Sequence, residues 1–183
     1  MLVLTGKMCS GKDTIKKELV KLGLKSVTAY TTRPMRDGEI NGETYHFIPE
    51  KTFLQKIREG DFVECTYYNV ANGDTWFYGS CGEDYLDNGV IILNPNGLKD
   101  LIYLYGYNPI VFYIDAPDEI IEERLIKRGD NPDEAKRRLL ADFIDFKDIG
   151  KMYDAKFLND GKHSPKWIAE LIYDTYETLR RIK

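Results

Sequence analysis

The stretch Gly6-Lys7-Met8-Cys9-Ser10-Gly11-Lys12-Asp13-Thr14 constrains this chain more than any other. Two glycines five residues apart, followed at once by lysine, let a backbone curl so that several N–H groups face one point. The apolar run Met1 to Leu4, with Thr5 closing it, reads as a strand entering the loop, and Thr14 to Leu22 reads as a helix leaving it. That is the context in which G-x-x-x-x-G-K-[ST] cradles phosphates. The helix contributes the positive end of its dipole, and Lys12 reaches the outer phosphates as a point charge. Asp13 departs from the pattern: it stands where a serine or threonine metal ligand is expected, and Thr14 comes one residue late. Asp13 either ligates magnesium as a hard oxygen donor or serves the helix dipole as a first-turn acid. The bland alternative, a glycine-rich turn that binds nothing, is disfavoured by the flanking strand and helix.

Downstream, strand and helix patterns alternate. Lys25–Tyr30, Val90–Leu93, Ile110–Ile114 and Lys156–Leu158 read as strands, and the β-branched runs suit a buried parallel sheet. Leu98–Tyr105, the segment from Pro117 to about Arg128, and the segment from Asn131-Pro132 to about Phe146 read as helices, with Gly129 as the break. Ser164-Pro165 caps a last one. The middle differs: Thr44–Ile48, Asp61–Tyr68 and Thr75–Tyr78 read as strands around one short helix at Thr52–Glu59, with Asn72-Gly73 as a hairpin signal. This is the pattern of an α/β core with a small β-rich insertion.

The 183 residues suffice for one sizeable core, and the 43% hydrophobic and 31% charged content is that of a globular chain. A net charge of −4 argues against a nucleic-acid partner and makes local arginine clusters sites for small anions. No apolar stretch approaches a membrane span. Met1–Leu4 is too short for a signal-peptide core. The three cysteines, Cys9, Cys65 and Cys81, are odd in number and form no C-x-x-C, so a reducing cytoplasm is the expected setting.

Two further clusters carry chemistry. Arg33 and Arg36 lie in a turn-rich stretch with Tyr45, and Tyr78-Gly79-Ser80 follows later; guanidinium groups match phosphate in a bidentate way. Arg124, Arg128 and Arg138 lie on two helices joined by Gly129-Asp130-Asn131, a pair able to close over transferring phosphates. The competing reading of the second cluster is a salt-bridged surface, because Glu122, Glu123, Asp133 and Glu134 stand beside those arginines.

Together these parts resemble a guanylate kinase, of the nucleoside monophosphate kinase group, across nearly the whole chain. The most specific string is Thr31-Thr32-Arg33-Pro34-x-Arg36, then Gly38-Glu39, then Asn41-Gly42-x-x-Tyr45-x-Phe47. The resemblance implies a P-loop core with a parallel sheet flanked by helices (residues 1–32 and 89–183), a helical lid at about 124–145, and a nucleotide-monophosphate-binding insertion at 33–88. It implies transfer of the ATP γ-phosphate to GMP or dGMP with Mg2+, small-molecule nucleotides being the partners. Gly6 through Thr14 and Asn159 fall on the ATP-binding positions; Lys12, Arg124, Arg128 and Arg138 on the catalytic ones. Arg33, Arg36, Tyr45 and Tyr78 match the residues that hold the acceptor phosphate; Glu64 matches the carboxylate that reads guanine, with Ser80 nearby. Guanine presents N1–H and N2–H donors on one edge, which an ionised carboxylate accepts; adenine would face it with a lone pair.

Four departures bear on base choice and metal placement. Asp13 is one. The serine that helps read guanine falls on Ala29, although Ser26-Val27-Thr28 has the same character and Thr28 could supply the hydroxyl. Asn94-Pro95-Asn96-Gly97 replaces acidic residues that line the cleft in the family, and the loop from Tyr68 to Trp76 is longer than the family hairpin. A kinase for another nucleoside monophosphate, or for a deoxynucleotide, is therefore an alternative. So is a non-catalytic binding module of the same fold, against which stand Gly6, Gly11, Lys12, Arg128 and Arg138.

Overall fold

The computed structural model describes residues 1–70, 72–129 and 132–183. In chain order its elements begin β1 (Leu2–Thr5), α1 (Lys12–Lys21), β2 (Lys25–Ser26), β3 (Tyr30–Thr31), β4 (His46–Phe47), α2 (Glu50–Glu59), β5 (Phe62–Asn69) and β6 (Thr75–Cys81). They continue with β7 (Gly89–Ile92), α3 (Pro95–Lys99), β8 (Ile110–Asp115), α4 (Asp118–Arg128), α5 (Pro132–Asp145), β9 (Ala155–Leu158) and α6 (Pro165–Arg180). The elements fall into two compact units: Met1–Ser26, Asn88–Pro95 and Pro109–Lys183 make the first, Val27–Asp87 and Asn96–Asn108 the second.

The first unit holds a parallel sheet of order β2-β7-β1-β8-β9. Leu2 and Leu4 of β1, with Phe112 and Ile114 of β8, pack against Ile15 and Leu19 of α1 and against Ile168, Ala169, Ile172 and Tyr176 of α6. A strand buried on both faces needs no polar alternation, which is why β1, β7 and β8 read as unbroken apolar runs. The expected cap of α6 is present: Ser164 Oγ accepts from Trp167 N at 3.2 Å, with Pro165 in the first turn. Gly129, at φ 70°, ends α4 in the left-handed conformation that a C-cap needs. The Asn131 expected to cap α5, and Asp130 before it, lie outside the described residues.

The second unit holds a four-stranded sheet, β4-β3-β6-β5, in which β3 pairs parallel with β4 and the other pairs are antiparallel. Phe53 of α2, Phe62 and Cys81 form its core. Gly79 is closely packed, since a Cβ there would stand 3.0 Å from Glu64 O and 3.1 Å from Phe53 Cζ. The β5–β6 ladder carries a bulge: Phe62 faces Cys81, but Glu64 faces Ser80, so Val63 is the extra residue. Val70 to Asp74 connect these strands, closed by Val70 N donating to Asp74 O at 2.8 Å; Ala71 within the connection lies outside the described residues.

Two expectations change. No single strand runs through Lys25–Tyr30: β2 belongs to the first sheet and β3 to the second, because the chain passes between units at Val27. The helix expected at Leu98–Tyr105 starts earlier, as α3 behind Pro95, and continues as a π-helical turn over Asp100–Leu104. Among the described residues, no helix is long and apolar enough to cross a membrane.

Candidate active site

The phosphate loop lies between β1 and α1. Its glycines are demanded by space as well as by turning. A Cβ on Gly6 would meet Ile114 O at 2.2 Å, and one on Gly11, at φ 95°, would meet Asn159 Nδ2 at 2.2 Å. Cys9 takes the left-handed conformation between them, at φ 53°. Lys12 folds back over the loop and donates to Gly6 O and Lys7 O, each at 2.6 Å, and to Ser10 Oγ at 3.4 Å. Burial pulls its ammonium below the usual lysine range, with Arg128 adding to that; Asp13 and Asp142 act in the opposite direction. Asp13 and Thr14 are exposed on the first turn of α1.

Two side chains clasp the loop from the far end of the first unit. Asn159, buried beyond β9, donates through Nδ2 to Ser10 O at 2.7 Å. Arg124 of α4 donates to Cys9 O at 3.0 Å and to Asn159 Oδ1 at 3.2 Å. Arg138 of α5 donates to Glu134 Oε1 at 2.7 Å, and Arg137 makes a two-pronged contact with the same carboxylate. Thus Arg124 and Asn159 meet the loop, Arg128 acts on Lys12 through its charge, and Arg138 is paired along its own helix. One contact had no signal in the sequence: Asp142 of α5 accepts from Met8 N at 2.5 Å. Burial pushes this carboxyl above the ordinary aspartate value, against the pull of Met8 N–H and Lys12.

In the second unit the Thr-Thr-Arg segment is pinned to β6. Thr31 Oγ1 donates to Phe77 O at 2.9 Å, and Phe77 N donates to Thr32 Oγ1 at 3.0 Å. Arg33 is thereby buried, at 4% exposure, with its guanidinium over the rings of Tyr45 and Phe47 and paired with Glu39 at 2.7 Å. The other Glu39 oxygen accepts from Arg36 N at 2.7 Å. Burial works against both charges of the pair, yet the contact outweighs it: Arg33 is raised and Glu39 lowered from their ordinary values. Tyr45 meets Tyr78 edge-on at 5.9 Å, so Arg33, Arg36, Tyr45 and Tyr78 form one neighbourhood. Glu39 was readable only as part of the family string, although an acid three residues after Arg36 is a natural counter-ion.

Glu64 lies on β5 at 6% exposure, with Ser80 fully buried across the ladder. Ser80 Oγ donates to Glu64 Oε1 at 2.5 Å and stands 2.6 Å from Tyr85 Oη. Burial pushes the Glu64 carboxyl up to about 7; the Ser80 bond opposes this and Asp100 adds to it. Thr28 and Ala29, the alternatives for the missing serine, are both half-buried before β3, and Ala29 O accepts from His46 N at 2.8 Å.

Residues 1–161 match the family model for guanylate kinase. The chain belongs to the guanylate kinase family. A guanylate kinase of Mycoplasmopsis pulmonis (strain UAB CTIP) is 31% identical over 94% of this chain and 91% of its own length. One of Clostridioides difficile (strain 630) is 30% identical over 100% of this chain and 91% of its own. A solved guanylate kinase from Anaplasma phagocytophilum shares the fold, with a TM-score of 0.71 at 20% identity over 98% of this chain and 85% of that one. The α/β fold with its parallel sheet flanked by helices is the guanylate kinase fold.

Within that family the metal accompanying ATP is the remaining question of chemistry. Among the described residues no three His, Cys, Asp or Glu side chains gather as a metal cage. Magnesium needs none, because it keeps several waters and is held by one or two carboxylates together with substrate phosphates. Asp13, a solvent-facing carboxylate whose charge reaches Lys12, fits that requirement.

Proposed function

We infer that this chain transfers the γ-phosphate of ATP to GMP or dGMP, giving ADP and GDP or dGDP. The observation that carries the guanine preference is Glu64: a carboxylate at 6% exposure, oriented through one oxygen by Ser80. Its other oxygen suits the N1–H and N2–H edge of guanine. We assign Arg33, Arg36, Tyr45 and Tyr78 to the acceptor phosphate, supported by their clustering around the Arg33–Glu39 pair.

The acceptor's phosphate oxygen forms its bond to the γ-phosphorus as the bond to the β–γ bridging oxygen breaks, and ADP carries that electron pair away. No side-chain nucleophile is needed; the protein aligns the two phosphates and neutralises their charge. Lys12 must exchange its bonds to the Gly6 and Lys7 carbonyls for the donor's phosphates. Asn159 and Arg124 hold the loop that supplies the backbone donors, and Arg128 and Arg138 are the lid arginines we assign to the transferring group. Magnesium bound with ATP would neutralise the β- and γ-oxygens, with Asp13 as the carboxylate we assign to it. We take residues 33–88 as the acceptor-binding insertion and about 124–145 as the lid. Cys9, Cys65 and Cys81 are in no disulfide among the described residues, which supports a cytoplasmic setting.

The test is ADP release with Mg·ATP against GMP, dGMP, AMP, CMP, UMP and dTMP, with Lys12→Ala as the inactive control. Turnover confined to GMP and dGMP is expected. Preference for another acceptor would redirect the base assignment toward the changes at Ala29, Asn94 and Asn96. Retained activity in Lys12→Ala would overturn the assignment of the phosphate loop.

A further inference from the structure

We propose that Tyr85 is a positioning residue for base recognition, acting through Ser80 to orient Glu64 and hold it ionised. The proposal rests on the reading of Glu64 as the guanine-binding carboxylate.

The geometry is a three-member chain. Ser80 Oγ lies 2.5 Å from Glu64 Oε1 and 2.6 Å from Tyr85 Oη. An ionised carboxylate can only accept, so the single Ser80 proton goes to Glu64. The Tyr85 proton must then go to Ser80, and the chain runs Tyr85 O–H to Ser80 O–H to Glu64 Oε1. A phenol is the more acidic hydroxyl, and donation to Ser80 strengthens the bond that Ser80 makes in turn. Among the described residues Ser80 is the one hydrogen-bond donor to this carboxylate, so its strength matters more than that of one donor among many.

Four structural features hold the relay in place. The bulge at Val63 sets Glu64 opposite Ser80 instead of opposite Gly79, where an unbroken register from Phe62–Cys81 would put it. Tyr85 follows a 3-10 turn at Gly82–Asp84 and bonds back through its N–H to Gly82 O at 3.1 Å. Its ring meets Tyr107 edge-on, with centroids 5.3 Å apart, which fixes the direction of the hydroxyl. Gly82 keeps this corner close, since a Cβ there would stand 2.8 Å from Val63 Cγ1.

Among the described residues, the Ser80 hydrogen bond is what favours the ionised form of Glu64. Asp100, on the π-helical turn, repels it, and burial disfavours its charge more strongly still. Cys65 beside Glu64, and Cys81 and Tyr107 beside Tyr85, are thiols and a phenol that bring no positive charge. Burial also pushes the Tyr85 phenol up, so it remains a donor through the working pH range.

The experiment measures KM for GMP and for ATP from pH 5.5 to 9 in wild type, Tyr85→Phe, Ser80→Ala, the double variant and Glu64→Gln. Tyr85→Phe keeps the ring against Tyr107 and removes only the hydroxyl. It is expected to raise KM for GMP about fivefold at neutral pH, with KM for ATP unmoved. The acid-side inflection of kcat/KM for GMP should move upward by about half a unit. In the Ser80→Ala background the same change should add almost nothing, because the relay is already cut. An unchanged KM and inflection in Tyr85→Phe, or an equal loss in the Ser80→Ala background, overturns the proposal. If Tyr85→Phe does not melt as one folded species, Tyr85→Leu takes its place with the same expectations. Failure of the underlying reading looks different: Glu64→Gln would then keep wild-type KM for GMP.

Discussion

The Asp142 carboxylate accepts a hydrogen bond from the backbone N–H of Met8, at 2.5 Å, inside the phosphate loop. On our reading of this loop as the ATP site, a side chain from α5 occupies a donor proposed for a phosphate oxygen, and it sets a negative charge beside Lys12. Donor binding has to displace it. Asp142→Ala is expected to tighten ATP binding about tenfold, the low end of the worth of one charge-assisted bond. Titration calorimetry with ATP checks this, and weaker binding in the variant would mean that Asp142 shapes the loop more than it blocks it.

Asn159 and Gly11 are matched in space. The amide that donates to Ser10 O sits where a Cβ on residue 11 would be. Removing the amide in Asn159→Ala frees a buried carbonyl and takes away an Arg124 partner. The expected cost is about 1–2 kcal/mol of stability, with KM for ATP up about tenfold as the loop loosens. Thermal melts and ATP titrations separate the two effects.

The Arg33–Glu39 pair is almost fully withdrawn from water, at 4% and 16% side-chain exposure. Breaking a buried pair strands a charge, so Glu39→Ala should cost about 3 kcal/mol in urea unfolding. The sign with pH follows from the lowered Glu39 pKa. The pair's contribution is present above the ordinary carboxylate range and is lost as pH falls through the depressed folded value. The gap between wild type and Glu39→Ala should therefore narrow in acid.

Glu64 behaves in the opposite way. Its folded pKa of about 7 lies above the ordinary 4.5, so the folded state holds the proton more tightly than the unfolded chain does. Stability from this group is full below the ordinary value and is lost as pH rises through the folded one. Glu64→Gln should melt higher than wild type at pH 8, by on the order of 2 kcal/mol, with the difference closing toward pH 5. The same variant should turn over GMP poorly. Melting curves across pH, beside the kinetic assay, test whether this carboxylate is kept at the expense of stability.

The phosphate loop, the Thr-Thr-Arg segment and the apolar runs of β1, β7 and β8 were legible in the chain because each is a local matter. A turn that needs glycine, a lysine at a set spacing and a strand buried on both faces leave their marks within a few residues. The division of Lys25–Tyr30 between two sheets left none, since either half is a good strand wherever it pairs. Nor did the Val63 bulge, which sets Glu64 facing Ser80, or the turn and ring contact that bring Tyr85 to Ser80. Asp142 and Met8 are 134 residues apart, and nothing around either marks the other. The sequence by itself determined which chemistry the chain can carry. Packing and strand register, which depend on every neighbour at once, decided which side chains hold that chemistry in place.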